Sequence, residues 1–151
     1  MENLLQIVMH FMTKQGANVA IFLDSNIVLY AFGNDEHKAK IAQNLLAEYP
    51  IISTQVINEC SHVMRRKLRW DLDKIADELE NVLILVQLDT VDIRHIRLAW
   101  DVAARYGFSH YDSLIVASAL ETHCTRLYSE DLQHNQLIEN RLKIINPFLK
   151  P

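Results

Sequence analysis

Ala20-Ile21-Phe22-Leu23-Asp24-Ser25-Asn26 is the stretch that decides the fold. Val19 to Leu23 is an uninterrupted apolar run, the pattern of a parallel strand covered by helices on both faces. The run stops at Asp24. In open α/β sheets ligands bind just beyond the carboxyl ends of the strands. An acid at that place is therefore either the cap of the next helix or the first member of a polar site. The reading adopted is the second, the first member of a polar site.

Outward from this strand the chain alternates. Ser25 to Phe32 reads as a short helix ending at Gly33. Asn34 can cap a helix over 35–49, stopped by Pro50. Ile51 and Ile52 read as a short buried strand. Ser53 or Thr54 caps a helix to about Arg69, and Asp71 caps another from Leu72 to about Val82. Leu83 to Leu88 is apolar and β-like. Thr90 can cap a helix through Tyr106, closed by Gly107. Ser109 opens the next helix, which ends near Cys124. Arg126 to Tyr128 and Lys143 to Ile145 read as strands, with a short helix after Asp131. This alternation predicts an α/β fold with a mainly parallel sheet.

The totals bound the function. A chain of 151 residues fits one domain with a real core, and 50% hydrophobic content argues against disorder. Fifteen basic against 19 acidic residues leave a net charge of −4, which speaks against binding nucleic acid by bulk charge. It leaves room for a metal-dependent nuclease, because bound cations reverse the local sign. Cys60 and Cys124 lie in apolar helical patterns and read as buried thiols. The seven histidines are scattered and form no zinc motif with them. The segment Met1 to Met12 is too short to span a bilayer and lacks a basic leader region. It reads as an oligomer contact or as sequence upstream of a later start such as Met12.

Four acids carry the chemistry, and each has a plainer alternative. Asp24 can be a helix cap. Glu59 lies at one edge of the apolar arc formed by Val56, Cys60, Val63 and Met64, with His62 and Arg66 on the same side. It can be a boundary residue in a surface ion pair. Asp112 falls within the arc of Ile115, Val116, Ala119 and Leu120, where a carboxylate is expensive unless paired, hydrogen-bonded or bound to metal. Its alternative is a capping box with Ser109, helped by the positive helix end. Asp131 follows a strand and can cap what comes next, with Glu130 as a competing candidate. Two carboxylates about 4 Å apart repel by roughly 4 kcal/mol at an effective dielectric near 20. Four together require cations, and oxygen-only ligation suits Mg²⁺ or Mn²⁺. His62 and His110 read as surface or core residues, so no general base is assigned.

At these residues the chain resembles PIN-domain ribonucleases of the VapC toxin type. The likeness covers Ala20 to Phe148 and rests on Leu23-Asp24-Ser25-Asn26, Ser53-Thr54-Gln55-Val56-Ile57-Asn58-Glu59, Tyr111-Asp112-Ser113-Leu114-Ile115-Val116-Ala117-Ser118-Ala119, Leu127-Tyr128-Ser129-Glu130-Asp131 and Ile145-Asn146-Pro147-Phe148. The acids follow one another at intervals of 35, 53 and 19 residues, in the family's order. The resemblance implies a Rossmann-like three-layer fold over 19–151, with 1–18 as an N-terminal extension. It implies that Asp24, Glu59, Asp112 and Asp131 form a catalytic Mg²⁺ or Mn²⁺ site supported by Asn26 and Ser129. It further implies an RNA substrate, 5′-phosphate and 3′-hydroxyl products, a homodimer and a cognate antitoxin; the two cysteines, read as buried thiols, fit a cytoplasmic protein. The extension and Ser113, where many relatives carry a residue such as alanine, depart from the pattern.

Arg65, Arg66, Lys67 and Arg69 form a basic run at the end of the Glu59 helix. Arg66 shares the Glu59 edge and could hold a flanking phosphate; a cation cluster at a helix C-terminus is the plainer reading. Other classes fit less well. A HAD-like phosphatase needs a second Asp two residues after the first, where this chain has Asn26. A receiver domain needs an acidic pair and a late lysine that do not appear. A PIN-like module that binds RNA or a protein without cutting stays open.

Overall fold

The computed structural model describes residues 3–12 and 19–150. The expected boundary at residue 18 lies outside them. In chain order the elements are α1 (Leu4–Met12), β1 (Ile21–Leu23), α2 (Ser25–Tyr30), α3 (Glu36–Leu46), β2 (Ile51–Ser53), α4 (Thr54–Arg66), α5 (Leu72–Leu85), β3 (Gln87–Asp89), α6 (Ile93–Tyr106), α7 (His110–Glu121), β4 (Arg126–Tyr128), β5 (Leu137–Ile138) and β6 (Leu142–Ile145). The strands form one sheet in the order β3-β2-β1-β4-β6-β5. Every pairing is parallel except β5 with β6. The α/β fold with a mainly parallel sheet expected from the alternation is observed, in the three layers that the resemblance implies.

β1 occupies the middle of this order. Phe22 is in register with Ile51 on one side and Leu127 on the other. All three β1 residues are buried, as a strand with helices on both faces requires. Its exit therefore opens from the centre of the sheet, where β1 and β4 end side by side.

Several boundaries differ from the sequence reading, each for a local reason. Val19 and Ala20 precede β1 instead of belonging to it. Asp35, not Asn34, caps α3, its side chain accepting from the Lys38 amide at 3.1 Å. Ser53 caps α4, which leaves the Thr54 hydroxyl to accept from the Val91 amide at 3.1 Å. The apolar run after Val82 continues α5 to Leu85, so only Gln87–Asp89 is strand. Asp92, not Thr90, caps α6, in a box completed by His95. After Asp131 the chain makes turns and then the short β5, with no helix.

The N-terminal segment packs on the domain. α1 lies against α3 and α5, and Leu4 and Val8 are buried in the main core. Cys60 and Cys124 are free, buried thiols. Among the described residues no helix is long and apolar enough to cross a membrane.

α7 is the most enclosed helix. Every residue from Ser113 to Leu120 is buried, because α7 touches β2 and β4 and is covered by α6. The hydroxyls of Ser113 and Ser118 are buried there without a hydrogen-bond partner. An unmade buried hydrogen bond costs about 1–3 kcal/mol, and Ala is the better helix former. Ser113→Ala and Ser118→Ala should each raise stability by about 1 kcal/mol, or roughly 2–4 °C in thermal midpoint for a chain of this size. Calorimetry of the two variants checks this; a lowered midpoint in both means the hydroxyls have partners.

Candidate active site

Asp24 is the fixed point of the site. Its amide donates to the Tyr128 carbonyl at 3.0 Å, so β1 and β4 stay paired to their last residue. Its carboxylate turns back on the chain. Oδ1 accepts from the Ser25 amide at 2.7 Å, and Oδ2 accepts from the Ser129 hydroxyl at 2.8 Å. Asp24 is thus a helix cap and a member of the site at once. It is also buried. Burial pushes its carboxyl up from about 3.8 to about 7, against the pull of Ser129 and Ser25; the Glu59 and Asp112 charges add to the rise.

Asn26 and Ser129 tie the exits of β1 and β4 together. The Asn26 amide donates to Asp131 Oδ2 at 3.1 Å and to Asp24 Oδ2 at 3.4 Å. Its Oδ1 accepts from the Glu130 amide at 3.1 Å. The Ser129 hydroxyl, while donating to Asp24, accepts from the Asp131 amide at 3.2 Å. One amide and one hydroxyl therefore hold two carboxylates that lie 107 residues apart in sequence.

Glu130 is held elsewhere. Lys38 on α3 meets its carboxylate at 2.6 Å, and the Tyr30 hydroxyl donates to it. The Lys38 ammonium also sits 4.5 Å from the Tyr30 ring centroid and 5.2 Å from that of Phe148. Although burial opposes it, the Lys38 and Tyr30 contacts leave the Glu130 carboxyl below its ordinary value. Of the two neighbouring candidates, the structure brings Asp131 and not Glu130 to the other acids.

Glu59 and Asp112 enter from helices and are half-buried. Gln55, one turn before Glu59, donates to it at 3.4 Å. Burial raises the Glu59 carboxyl, with Ser25 and Gln55 opposing and the Asp112 and Asp131 charges assisting. Burial likewise raises Asp112, with Ser109 opposing and Asp131 assisting. Half of the expected capping box forms: the Ser109 hydroxyl accepts from the Asp112 amide at 3.2 Å. The return bond from the Ser109 amide to the Asp112 carboxylate is absent among the described residues.

All four acids line one cavity of about 600 Å³. Ser25, Gln55, Asn58, His62, Val63 and Tyr111 complete its wall. His62, read from the sequence as a surface or core residue, belongs to this wall. The helical spacing of Gln55, Asn58 and His62 with Glu59 is the signal that places it there. Arg66 is exposed further along α4 and is not part of the lining. His110 is exposed, with its ring 5.3 Å from that of Tyr111.

The donor chemistry suits a hard divalent cation: four carboxylates, no thiolate, and three of the four with carboxyls raised above their ordinary range. As the side chains stand, no group of three or more His, Cys, Asp or Glu among the described residues is arranged to hold a metal ion. Asp24 and Asp131 are held by hydrogen bonds, so closing the set around a cation would fall to side-chain rotation of the half-buried Glu59 and Asp112.

The PIN domain profile matches residues 21–139, and the chain belongs to that family. No curated protein matches the sequence. Solved structures similar to it include the DNA-bound VapBC complex of Salmonella typhimurium, at 18% identity over 84% of this chain and 98% of that one, TM-score 0.63. The VapC20 toxin of Mycobacterium tuberculosis, described as cleaving the sarcin-ricin loop, is 17% identical over 74% of this chain and 92% of that one, TM-score 0.61. The FitAcB structure of Neisseria gonorrhoeae is 16% identical over 85% and 98%, TM-score 0.61. At such identities the likeness is one of fold.

The raised Asp24 has a measurable consequence. Between pH about 4 and about 7 the folded chain keeps a proton there that the unfolded chain loses. More protons bound in the folded state means stability that falls as pH rises through this window and levels off above it. From pH 5 to 8 the metal-free protein should lose up to about 3 kcal/mol from this group. Asp24→Asn should be more stable than wild type at pH 8 and lack this part of the slope. Thermal melts in EDTA at the two pH values check this; parallel slopes for the two proteins would contradict a proton held at Asp24.

Proposed function

We propose that this chain is a metal-dependent endoribonuclease, the toxin of a toxin–antitoxin pair, with Asp24, Glu59, Asp112 and Asp131 as its catalytic acids. The observation that carries this reading is their convergence. Acids from two strand exits and two helices, distant in sequence, line one cavity at the carboxyl end of a parallel sheet in a PIN-family chain. The neighbours support the toxin role, since they include toxins solved with their partners: a VapBC complex and a toxin–antitoxin complex from Klebsiella pneumoniae.

The four acids would hold Mg²⁺ or Mn²⁺. When bound, such an ion acidifies water and neutralises charge at the scissile phosphate. The protein's own part is positional. Asp24 is immobilised by Ser25 and Ser129, and Asp131 by Asn26, so the site offers two carboxylates of fixed direction. Glu59 and Asp112 approach from α4 and α7 with freedom to close. Water adds to phosphorus and the bond to the 3′-oxygen breaks, leaving 5′-phosphate and 3′-hydroxyl ends. RNA reaches an acidic protein through Arg66 and its basic neighbours. A cognate antitoxin, a homodimer and a cytoplasmic location complete the proposal.

Wild type should cleave RNA with Mg²⁺ or Mn²⁺ and not in EDTA. Asp112→Asn should lose more activity than the roughly 10–100-fold typical of removing a group behind a ligand. Mapping of product ends checks the bond broken. An intact, antitoxin-free protein that cuts no RNA with either ion leaves the non-catalytic module as the reading.

Arg66→Ala should weaken RNA binding across sequences and lower the salt slope by about one while leaving the melting curve in place. Binding unchanged at several salt concentrations removes Arg66 from the interface.

A further inference from the structure

We propose that Tyr111 is a stacking platform for one unpaired nucleobase beside the scissile phosphate, with the polar stripe of α4 reading its edge. The inference rests on the nuclease reading above and names the form of RNA that the site takes.

Tyr111 is out of place as a structural residue. It sits in the first turn of α7, a helix buried from Ser113 to Leu120, yet it is 60% exposed. Its hydroxyl has no hydrogen-bond partner among the described residues, and the one aromatic ring it meets there is that of His110, at 66° between planes. A perpendicular contact of this kind covers at most one ring face. Tyr111 nevertheless lines the acidic cavity, next in sequence to Asp112. Adjacent helical residues diverge by about 100°. The carboxylate can therefore join the acids while the ring stands on the rim beside them.

The other helix of the cavity supplies what a base edge needs. Gln55, Asn58 and His62 recur at helical spacing on α4 and all line the cavity. The Asn58 amide and the His62 ring are without hydrogen-bond partners among the described residues, so donors and acceptors stand ready on the same stripe as Glu59. A cavity of about 600 Å³ is in the range that encloses a small organic molecule, more than a phosphate fills.

The chemistry selects single-stranded RNA. A paired base is already stacked on both faces and its groove edges are hard to reach in A-form RNA; an unpaired base can splay onto an aromatic ring and present its edge. Stacking also answers the charge problem. With a net charge of −4 the chain draws little affinity from phosphates at large, and one stacked base contributes roughly five- to a hundredfold in binding.

The test uses the full chain carrying Asp112→Asn, so that RNA stays intact, and a fluorescein-labelled single-stranded oligoribonucleotide followed by anisotropy. Adding Tyr111→Ala should weaken binding about five- to a hundredfold, while Tyr111→Phe should stay within about twofold. Abasic substitution at one position of the oligonucleotide should weaken binding to the tyrosine protein and not to the alanine variant. Tyr111→Trp should show fluorescence quenching on RNA addition beyond that of the parent, which keeps Trp70 and Trp100. Equal binding by the alanine variant, in a protein that still cleaves RNA when Asp112 is restored, overturns the platform and leaves the nuclease standing. Loss in Tyr111→Phe as large as in Tyr111→Ala overturns it too, since a hydroxyl contact is then responsible. A wild type that neither binds nor cuts any RNA overturns both readings.

Discussion

The site is organised around one buried carboxyl group. Asp24 stands where the central strand leaves the sheet, out of water, with the Ser129 hydroxyl and the Ser25 amide as its closest hydrogen-bond donors, the Asn26 amide further off, and other carboxylates facing the same cavity. A buried carboxylate so placed is unfavourable when ionised and not offset by a cation. The fold tolerates it because β1 and β4 are paired up to the residues that hold it. Ser129 is itself fully buried and its amide is bonded to the Ile145 carbonyl at 2.9 Å. The strand behind therefore fixes the donor that fixes the acid. Burial is the main cause of the raised Asp24 carboxyl, and the Glu59 and Asp112 charges add to it.

The loop after β4 sorts its acids by what captures them. Ser129, Glu130 and Asp131 leave the strand in succession. The Lys38–Tyr30 pair takes Glu130 to the α2–α3 side, and Asn26 takes Asp131 to the cavity. Asn26 also accepts from the Glu130 amide, so the two directions are coupled through one side chain. An ion pair with both partners about a quarter exposed contributes little to overall stability. Its effect here is on direction: it removes the competing carboxylate from the cavity and leaves the remaining loop acid to the site.

Legibility in the sequence followed how many physical signals each residue carried. Asp24 was marked by an apolar strand ending on an acid, and Gly107 by a helix end that needs a left-handed residue, its φ being 76°. The stretch from Leu83 to Leu88 carried no such mark. A short apolar run without clear period fits the end of a buried helix as well as a strand, and α5 claims it through Leu85. Thr90 and Asp92 were both acceptable caps, and the choice fell to Asp92 because His95 closes the box from within the helix. Glu130 and Asp131 could not be separated from sequence, since Lys38 lies 92 residues from its partner. The α4 wall was half legible. Helical spacing put His62 beside Glu59, but the side that faces α7 follows from the packing of the two helices on the sheet.

α7 joins the buried and exposed parts of the site. Its enclosure between the sheet and α6 fixes the direction of its axis, and the Ser109 cap fixes where its first turn begins. Those two constraints leave the residues of that turn little choice of position. Asp112 must face the neighbouring acids at half burial, and Tyr111, one position earlier, must face water. A register shift of one residue would put the ring among the carboxylates in one direction, or the Asp112 charge on the rim in the other. The cap that begins the helix thus determines both the charge of the cavity and the character of its mouth, and the long buried run from Ser113 to Leu120 keeps that register from slipping.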